Sequence, residues 1–350
     1  MNVIINILIF ILILGFIIFI HEFGHFTWAK LRGVYVYEFS MGMGPLIFSK
    51  KIGETEYSLR AIPIGGYCAL AGEDVEYDNK EKIPKNRRLQ NKKPWERFLI
   101  MFFGAGNNFL SAFVILFFIA LIWGGTTLDP IITEVTPGSA ADKAGIVADS
   151  RVLAINGNKV TYSDDISLFL AVADPKEGSE FKVLGNDGIV EVINVVPTKT
   201  KVKGKTSYIY GVGMKQQETH GFVNALKYMV KKSGALFKQM WVTVKYLFTG
   251  HVTLNQMSGP VGIYSIVGAQ REAGLVSLLF LVAFLSINVG FLNLLPLPAF
   301  DGGHILFILI ELIRGKPVNP KVENVIHGVG MALLMLLMLV VTINDIIKLF

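Results

Sequence analysis

The sequence is poor in charged residues and contains a single cysteine. Charged residues make up 17% of the 350 residues, whereas globular proteins average about 25%. Apolar residues make up 52%. This balance argues against an ordinary soluble protein and favours an integral membrane protein that also carries water-exposed material. Cys68 alone cannot form an internal disulfide or a zinc site built from cysteines.

Three further features are missing from the sequence. It has no basic stripe interleaved with aromatic residues, so we expect no nucleic-acid partner. No basic residue precedes the first apolar run, which begins at Val3, and no small-residue cleavage site follows it. We therefore expect this run to be retained as a membrane span rather than removed as a signal peptide.

A His-Glu-Phe-Gly-His motif ends the first apolar run. His21 and His25 are four residues apart, so on a helix they lie on one face about one turn apart. Two histidines at this spacing are typical zinc ligands, and Glu22 is the type of residue that takes a proton from a zinc-bound water. Because ionisable groups are costly in lipid, we expect all three to face protein or trapped water.

Four apolar segments predict four transmembrane helices. Their approximate ranges are 1–30, 98–124, 275–304 and 322–348. The third ends in a stretch with two prolines, followed by Asp301 and a glycine pair, and irregular backbone at this depth is tolerated only where protein or water satisfies it. Asp301 is therefore a candidate functional residue. In the second segment, Gly104–Asn108 is expected to serve close helix packing, and His327 is expected to be a polar residue near the interface rather than a ligand.

The polar stretch 31–97 predicts a β-hairpin. Val34–Phe39 alternates like a strand, Met41–Pro45 predicts a break, and two further strands are expected on either side of Ile52-Gly53. The residue pattern alone favours a surface hairpin. The alternative is an edge strand near the active site, containing Gly65 and Gly66, which pairs with an extended substrate.

Residues 126–215 predict one water-soluble domain that resembles a PDZ domain. A strand at Ile131–Val135 precedes a turn and short helix over 137–146, and Asn156-Gly157 predicts a hairpin turn. Capture of a peptide by strand addition and simple shielding of the membrane site both remain open. Residues 216–272 predict an amphipathic helix on the membrane or packed on its neighbours, and then a turn over 257–263.

The distribution of basic residues predicts the orientation of the spans. Thirteen lysines and arginines lie within 30–97, so the positive-inside rule places this loop in the cytoplasm, and the N-terminus and the PDZ-like domain outside. The first and third spans then both end at the cytoplasmic side. His21, His25 and Asp301 reach one depth, so Asp301 is a plausible third zinc ligand, and the fourth position stays open for water.

Taken in this order, the motifs resemble those of the bacterial site-2 proteases, intramembrane zinc metalloproteases of the RseP and RasP type. The matching residues are His21-Glu22-Phe23-Gly24-His25, Asn108-Phe109, Ser258-Gly259-Pro260 and the stretch from Asn288 through Asn293 to Phe300-Asp301-Gly302-Gly303-His304. The sequence departs from the family at Ala105, where proline is usual, and at Ala148–Val152, where the family has Gly-Asp-x-Ile.

The resemblance implies roles for the site residues. His21, His25 and Asp301 would bind one Zn²⁺ per chain, and Glu22 would be the general base. Asn288 and Asn293 would help to hold the unwound substrate. The family's membrane-re-entrant hairpin would correspond to about 34–67, which raises the expectation that Gly65 and Gly66 contact the substrate. The PDZ region would act as a docking module or a size filter.

The expected fold is a polytopic α-helical membrane protein with four transmembrane helices, a cytoplasmic-side β-hairpin and one extracytoplasmic PDZ domain. The expected function is regulated intramembrane proteolysis of single-pass proteins, such as anti-sigma factors or remnant signal peptides, in the bacterial plasma membrane. The main alternative is a non-catalytic PDZ-bearing membrane adaptor. A transporter is disfavoured because the chain shows no internal repeat.

Overall fold

A computed structural model describes residues 2–73, 83–202, 205–214, 216–250 and 259–348. The chain divides into two compact units. The first comprises Met1–Ile115 and Leu254–Phe350, and the second comprises Leu116–Thr253.

Helices dominate the described residues. They are α1 (Asn2–Leu31), α2 (Pro94–Trp123), α3 (Ala140–Ala144), α4 (Ser163–Val172), α5 (Phe222–Phe248), α6 (Pro260–Ala273), α7 (Leu275–Leu294), α8 (Asp301–Arg314) and α9 (Pro320–Ile347). The strands are β1 (Val36–Ile52), β2 (Thr55–Leu70), β3 (Gly125–Thr126), β4 (Ile131–Ile132), β5 (Glu134–Val135), β6 (Ser150–Ile155), β7 (Asn158–Lys159), β8 (Ser179–Leu184), β9 (Val190–Val195), β10 (Thr198–Val202), β11 (Lys205–Ile209), β12 (Val212–Gly213) and β13 (Glu218–Thr219).

Four helices of the described residues are long and apolar enough to cross a membrane. They cover Val3–Leu31, Pro94–Trp123, Leu275–Leu294 and Lys321–Ile347. Large apolar side chains on α9 are exposed, including Leu333 and Met335, and such a surface is stable in lipid rather than in water. The chain is therefore a polytopic helical membrane protein.

Helices α1 and α2 approach closely because glycines line their contact. A Cβ atom at Gly24 would collide with the backbone carbonyl of Phe103, and one at Gly104 would collide with the ring of His25. The rings of Trp28 and Phe103 stack nearby, with centroids 4.3 Å apart. Helix α2 continues without interruption through Ala105.

Strands β1 and β2 pair with each other over residues 36–70. Met41–Pro45, where a turn-rich break was expected, lies within β1, but the pairing register shifts at these residues. Gly42 and Gly44 adopt positive φ angles of 85° and 81°, which lets the strand turn back on itself. Residues 36–41 consequently pair with 66–70 on one side and face 56–59 on the other.

The second unit contains an antiparallel sheet in the order β4-β6-β8-β9, with β7 paired to β6. The expected turn at Asn156-Gly157 joins β6 to β7, and both residues have positive φ, as a tight hairpin requires. The short helix α3 ends at Gly145, which has a φ of 91°. Helix α4 and the β10–β11 pair were not predicted.

Helix α5 packs on this domain through ion pairs. Lys232 lies 2.6 Å from Asp164, and Lys238 lies 2.6 Å from the buried Asp165. This amphipathic helix was expected to lie on the membrane or to pack on its neighbours. Within the second unit, the face that carries Lys232 and Lys238 packs on the neighbouring helix α4.

Helix α6 replaces most of the turn expected over 257–263. It begins at Pro260, and the Oδ2 atom of Asp345 accepts hydrogen bonds from the backbone N–H groups of Gly259 and Gly262, at 2.7 and 2.9 Å. Proline favours the first helical position, and the distant carboxylate satisfies free N–H groups there. Met257 and Ser258 lie outside the described residues.

An ion cluster holds the turn between β1 and β2. Glu54 Oε1 accepts hydrogen bonds from Lys30 Nζ and Arg87 Nη2, both at 2.7 Å, and Glu54 Oε2 accepts another from Arg87 Nη1 at 2.7 Å. The bonds from Arg87, supported by Lys30, lower the pKa of Glu54 to about 2.

This cluster predicts an acid-sensitive contribution to stability. The pKa of Glu54 is lower in the folded chain than in the unfolded one. The stabilisation is therefore complete above about pH 4.5 and is lost as the pH falls towards about 2. We expect Glu54→Gln to lower the free energy of unfolding by about 1 kcal/mol at pH 7, because the pair is partly exposed to solvent.

Thermal unfolding of the purified protein in detergent measures this effect at a series of pH values. The exposed Glu191, changed to Gln, is the control. A Glu54→Gln variant as stable as wild type at pH 7, or a difference that persists at pH 2, would contradict the assignment.

Candidate metal centre

The structure brings His21, His25 and Asp301 together. The Nε2 atoms of His21 and His25 lie 3.2 Å apart, and each lies 3.4 Å from Asp301 Oδ2. The three side chains are 13%, 10% and 15% exposed. They come from α1 and from the first residue of α8. The three side chains form a group that could hold a metal ion.

The spacing of these atoms fits a tetrahedral zinc ion. Ligands at about 2.0 Å from a tetrahedral ion lie about 3.3 Å from one another, close to all three separations. Asp301 Oδ2 is buried and has no hydrogen-bond partner among the described residues. Burying an unpaired carboxylate oxygen costs free energy, and a bound cation would neutralise its charge. The donor set therefore fits zinc and leaves its fourth position open.

The orientation of His25 is fixed from α2. Its Nδ1 atom donates a hydrogen bond to the carbonyl of Ile100, at 2.9 Å. This bond leaves the Nε2 lone pair of neutral His25 facing Asp301, as is usual for histidines that bind zinc. Gly104 leaves the space that the ring occupies, so the glycine-rich segment of α2 shapes the candidate metal centre.

An irregular segment between α7 and α8 sets the position of Asp301. Ala299 within it has a φ of 75°, which non-glycine residues adopt only when their surroundings impose it. Gly302 and Gly303 lie directly against the backbone of Leu294, Leu295 and Leu297, where a Cβ atom would collide. The glycine pair after Asp301 thus allows α8 to start close to the end of α7.

Glu22 lines a cavity of about 370 Å³ between α1 and the β1–β2 sheet. Gly65 and Gly66 line the same cavity. A Cβ atom at Gly66 would lie 2.9 Å from the Ser40 carbonyl oxygen and 3.5 Å from Glu22 Cγ. The strand that could serve as a substrate edge therefore lies beside the expected general base.

Asn288 and Asn293 lie on α7. Asn288 Nδ2 donates a hydrogen bond to the Phe284 carbonyl one turn earlier, at 2.8 Å. Asn293 lies in the last turn of the helix. Neither belongs to the lining of the Glu22 cavity, so a role in holding substrate stays a prediction.

A second cluster beside the metal centre was not predicted. It consists of His304 on α8 with Glu323 and His327 on α9. The sequence predicted only an isolated polar residue at His327. Glu323 and His327 are four residues apart and share one face of α9, but their pairing with His304 depends on the fold and leaves no spacing signal in the sequence.

Comparisons with known proteins agree over almost the whole chain. The model of peptidase family M50 matches residues 9–337. A protein of Clostridium acetobutylicum, named as a candidate zinc metalloprotease, is 36% identical over 98% of this chain and 97% of its own length. The regulator of sigma-W protease RasP of Bacillus subtilis is 32% identical over 97% of this chain and 98% of its own length.

A further relative, the zinc metalloprotease RasP of Bacillus licheniformis, is 31% identical over 97% of this chain and 98% of its own length. The family match therefore covers α1, which carries both histidines, and α8, which carries Asp301. This chain belongs to peptidase family M50, the site-2 protease family, and is a zinc metalloprotease.

Proposed function

We propose that this protein cleaves single-pass membrane proteins within or beside the bilayer. The proposal rests on one observation. The three metal-binding atoms of His21, His25 and Asp301 converge beside Glu22, on a helix apolar enough to span a membrane. Zinc held by these three residues would polarise the scissile carbonyl and lower the pKa of a bound water to about 7.

The chain's own residues would perform the proton transfers. Glu22 accepts the proton of the attacking water and passes it to the leaving amine. His25 stays in place because Ile100 accepts its Nδ1 proton. The partly buried setting of these groups limits the access of bulk water to the reacting atoms.

The substrate would lie in the Glu22 cavity as an extended strand. Gly65 and Gly66 provide backbone without side chains next to Glu22, which suits pairing with an extended peptide. Asn288 and Asn293 would hold the backbone of the unwound segment. Substrate helices with glycine or other helix-breaking residues would be cleaved more readily, because unwinding them costs less.

The second unit would act as a PDZ domain that docks or filters substrates. A cavity of about 400 Å³ lies between α4 and the segment 208–214 and is lined by Ile166, Leu170 and Gly211 among others. A groove between a helix and a strand is where PDZ domains take peptides. The basic residues of 30–97 support a cytoplasmic position for the β1–β2 sheet and an extracytoplasmic one for this domain.

The physiological substrates would include anti-sigma factors, and the membrane would be the bacterial plasma membrane. This is supported by the name of the Bacillus subtilis relative, a regulator of sigma-W protease. Remnant signal peptides would be a second class of substrate, because they too are short apolar helices. The alternative function, a PDZ-bearing adaptor without catalysis, gives no reason for the converging His-His-Asp atoms.

Replacing the general base tests the proposal. We expect Glu22→Gln to retain zinc and to slow cleavage of a single-span substrate by about 10²–10⁴-fold, because the amide cannot accept the proton. Cleavage by purified protein in detergent and zinc content per chain are the measurements, with Glu191→Gln as control. Cleavage at the wild-type rate would exclude the proposal.

Replacing the third metal-binding residue tests the donor set. We expect Asp301→Ala to lose most of its bound zinc and its cleavage activity together, because the chain then retains two protein ligands. Elemental analysis of the purified variant measures the zinc. A full complement of zinc in Asp301→Ala would show that the carboxylate is not a ligand.

A larger residue at Gly66 tests the substrate strand. We expect Gly66→Val to abolish cleavage while zinc binding persists, because the new side chain meets the Ser40 carbonyl and Glu22. Gly328→Ala is the control, since a Cβ atom there has no heavy atom within 4 Å. Normal cleavage by Gly66→Val would remove this strand from the substrate site.

A further inference from the structure

His327 links α9 to the segment that leads into Asp301. Its Nδ1 atom accepts a hydrogen bond from the backbone N–H of Ala299, at 3.2 Å. Its ring stacks on the ring of His304, with centroids 3.9 Å apart and planes 15° apart. His304 Nδ1 lies 3.3 Å from Glu323 Oε1. The three side chains thereby join α9 to α8 and to the residues just before it.

This cluster does not have the arrangement of a second metal site. Because His327 Nδ1 accepts an N–H, the Nε2 atom of the neutral ring carries the proton and has no lone pair for a metal. A metal ion also lies in the plane of each imidazole that binds it. The rings of His304 and His327 are nearly parallel and stacked, so no ion can lie in both planes.

The hydrogen bond from Ala299 acts at a constrained point of the backbone. Ala299 is two residues before Asp301 and has a φ of 75°, a conformation that its surroundings must impose. His327 supplies the acceptor that fixes the direction of this N–H. The bond therefore helps to set the direction in which the chain enters α8.

A second contact on α9 holds the same segment. Gly330 lies one turn after His327, and a Cβ atom there would collide with Pro298. A Cβ atom at Gly303 would lie 3.0 Å from His327 Cε1. The segment before Asp301 is therefore in contact with α9 at both His327 and Gly330.

We propose that His327 is a positioning residue for the metal centre. By holding the Ala299 N–H it fixes the start of α8, so that Asp301 Oδ2 meets the two histidines of α1. The inference rests on the proposed function in taking Asp301 as a zinc ligand. It assigns to α9 a part in zinc affinity, although α9 contributes none of the three metal-binding atoms.

Metal binding by the full-length protein in detergent tests this role. The variants are His327→Leu, which removes the acceptor, His327→Asn, whose side-chain oxygen can replace Nδ1, and Gly330→Ala, which presses on Pro298. Val329→Ala, at an exposed position of α9, is the control. Zinc affinity is measured by competition with a chromophoric chelator, and ligand geometry by the visible absorption of the Co²⁺-substituted protein.

We expect His327→Leu and Gly330→Ala to weaken zinc binding on the order of tenfold, a loss typical when groups that orient metal ligands are removed. Their Co²⁺ absorption should change in band position or intensity. His327→Asn should retain affinity and spectrum close to wild type. Val329→Ala should match wild type in both.

Three results would overturn the inference. Wild-type affinity and spectrum in His327→Leu would remove the positioning role while leaving the metal centre intact. If His327→Leu does not fold, wild-type affinity and spectrum in Gly330→Ala would remove that role instead. Two metal ions per wild-type chain, with one lost in His327→Leu, would make His327 a ligand. A wild-type chain that binds neither zinc nor Co²⁺ would contradict the proposed function itself.

Discussion

The structure depends on bringing two imidazole nitrogens, of His21 and His25, and one carboxylate oxygen, of Asp301, together between largely apolar helices. Such a group is unfavourable when buried, because its acceptor atoms face one another at 3.2–3.4 Å and Asp301 Oδ2 has no hydrogen-bond partner in the described part of the chain. A zinc ion bound by these three atoms would turn this cost into a stabilising interaction. The surrounding elements can be understood by how they hold these atoms in place.

Backbone contacts, rather than side-chain packing alone, hold the centre. Ile100 accepts the Nδ1 proton of His25, and Gly104 makes room for its ring. Close contacts of the glycine pair after Asp301 bring the start of α8 against the end of α7. On the other side, Gly66 brings β2 to Glu22. Small residues thus allow a polar site to be assembled between helices that are otherwise apolar.

Local patterns in the sequence were sufficient to predict that His21 and His25 share a helical face and that four helices could span a membrane. The spacing of His21 and His25 placed them on one helical face, and long apolar runs predicted four helices that could cross a membrane. The break expected at Met41–Pro45 coincides with the positive φ angles of Gly42 and Gly44, but the continuation of β1 through it was not predicted, because glycines indicate a turn and a bent strand equally well. The start of α6 was missed because its capping group, Asp345, lies far along the chain.

Asn108 lies in the segment that was expected to serve close helix packing. Its side chain is buried, and both of its polar atoms lack partners among the described residues. Ser111 and Ser286 instead meet between α2 and α7, where their Oγ atoms lie 3.3 Å apart.

The central claim is that His21, His25 and Asp301 share one zinc ion. X-ray absorption at the zinc edge of the wild-type protein tests it most directly. The account predicts a nitrogen and oxygen shell at about 2.0–2.1 Å with the scattering of two imidazoles, and a sulfur shell or six oxygen ligands would contradict it.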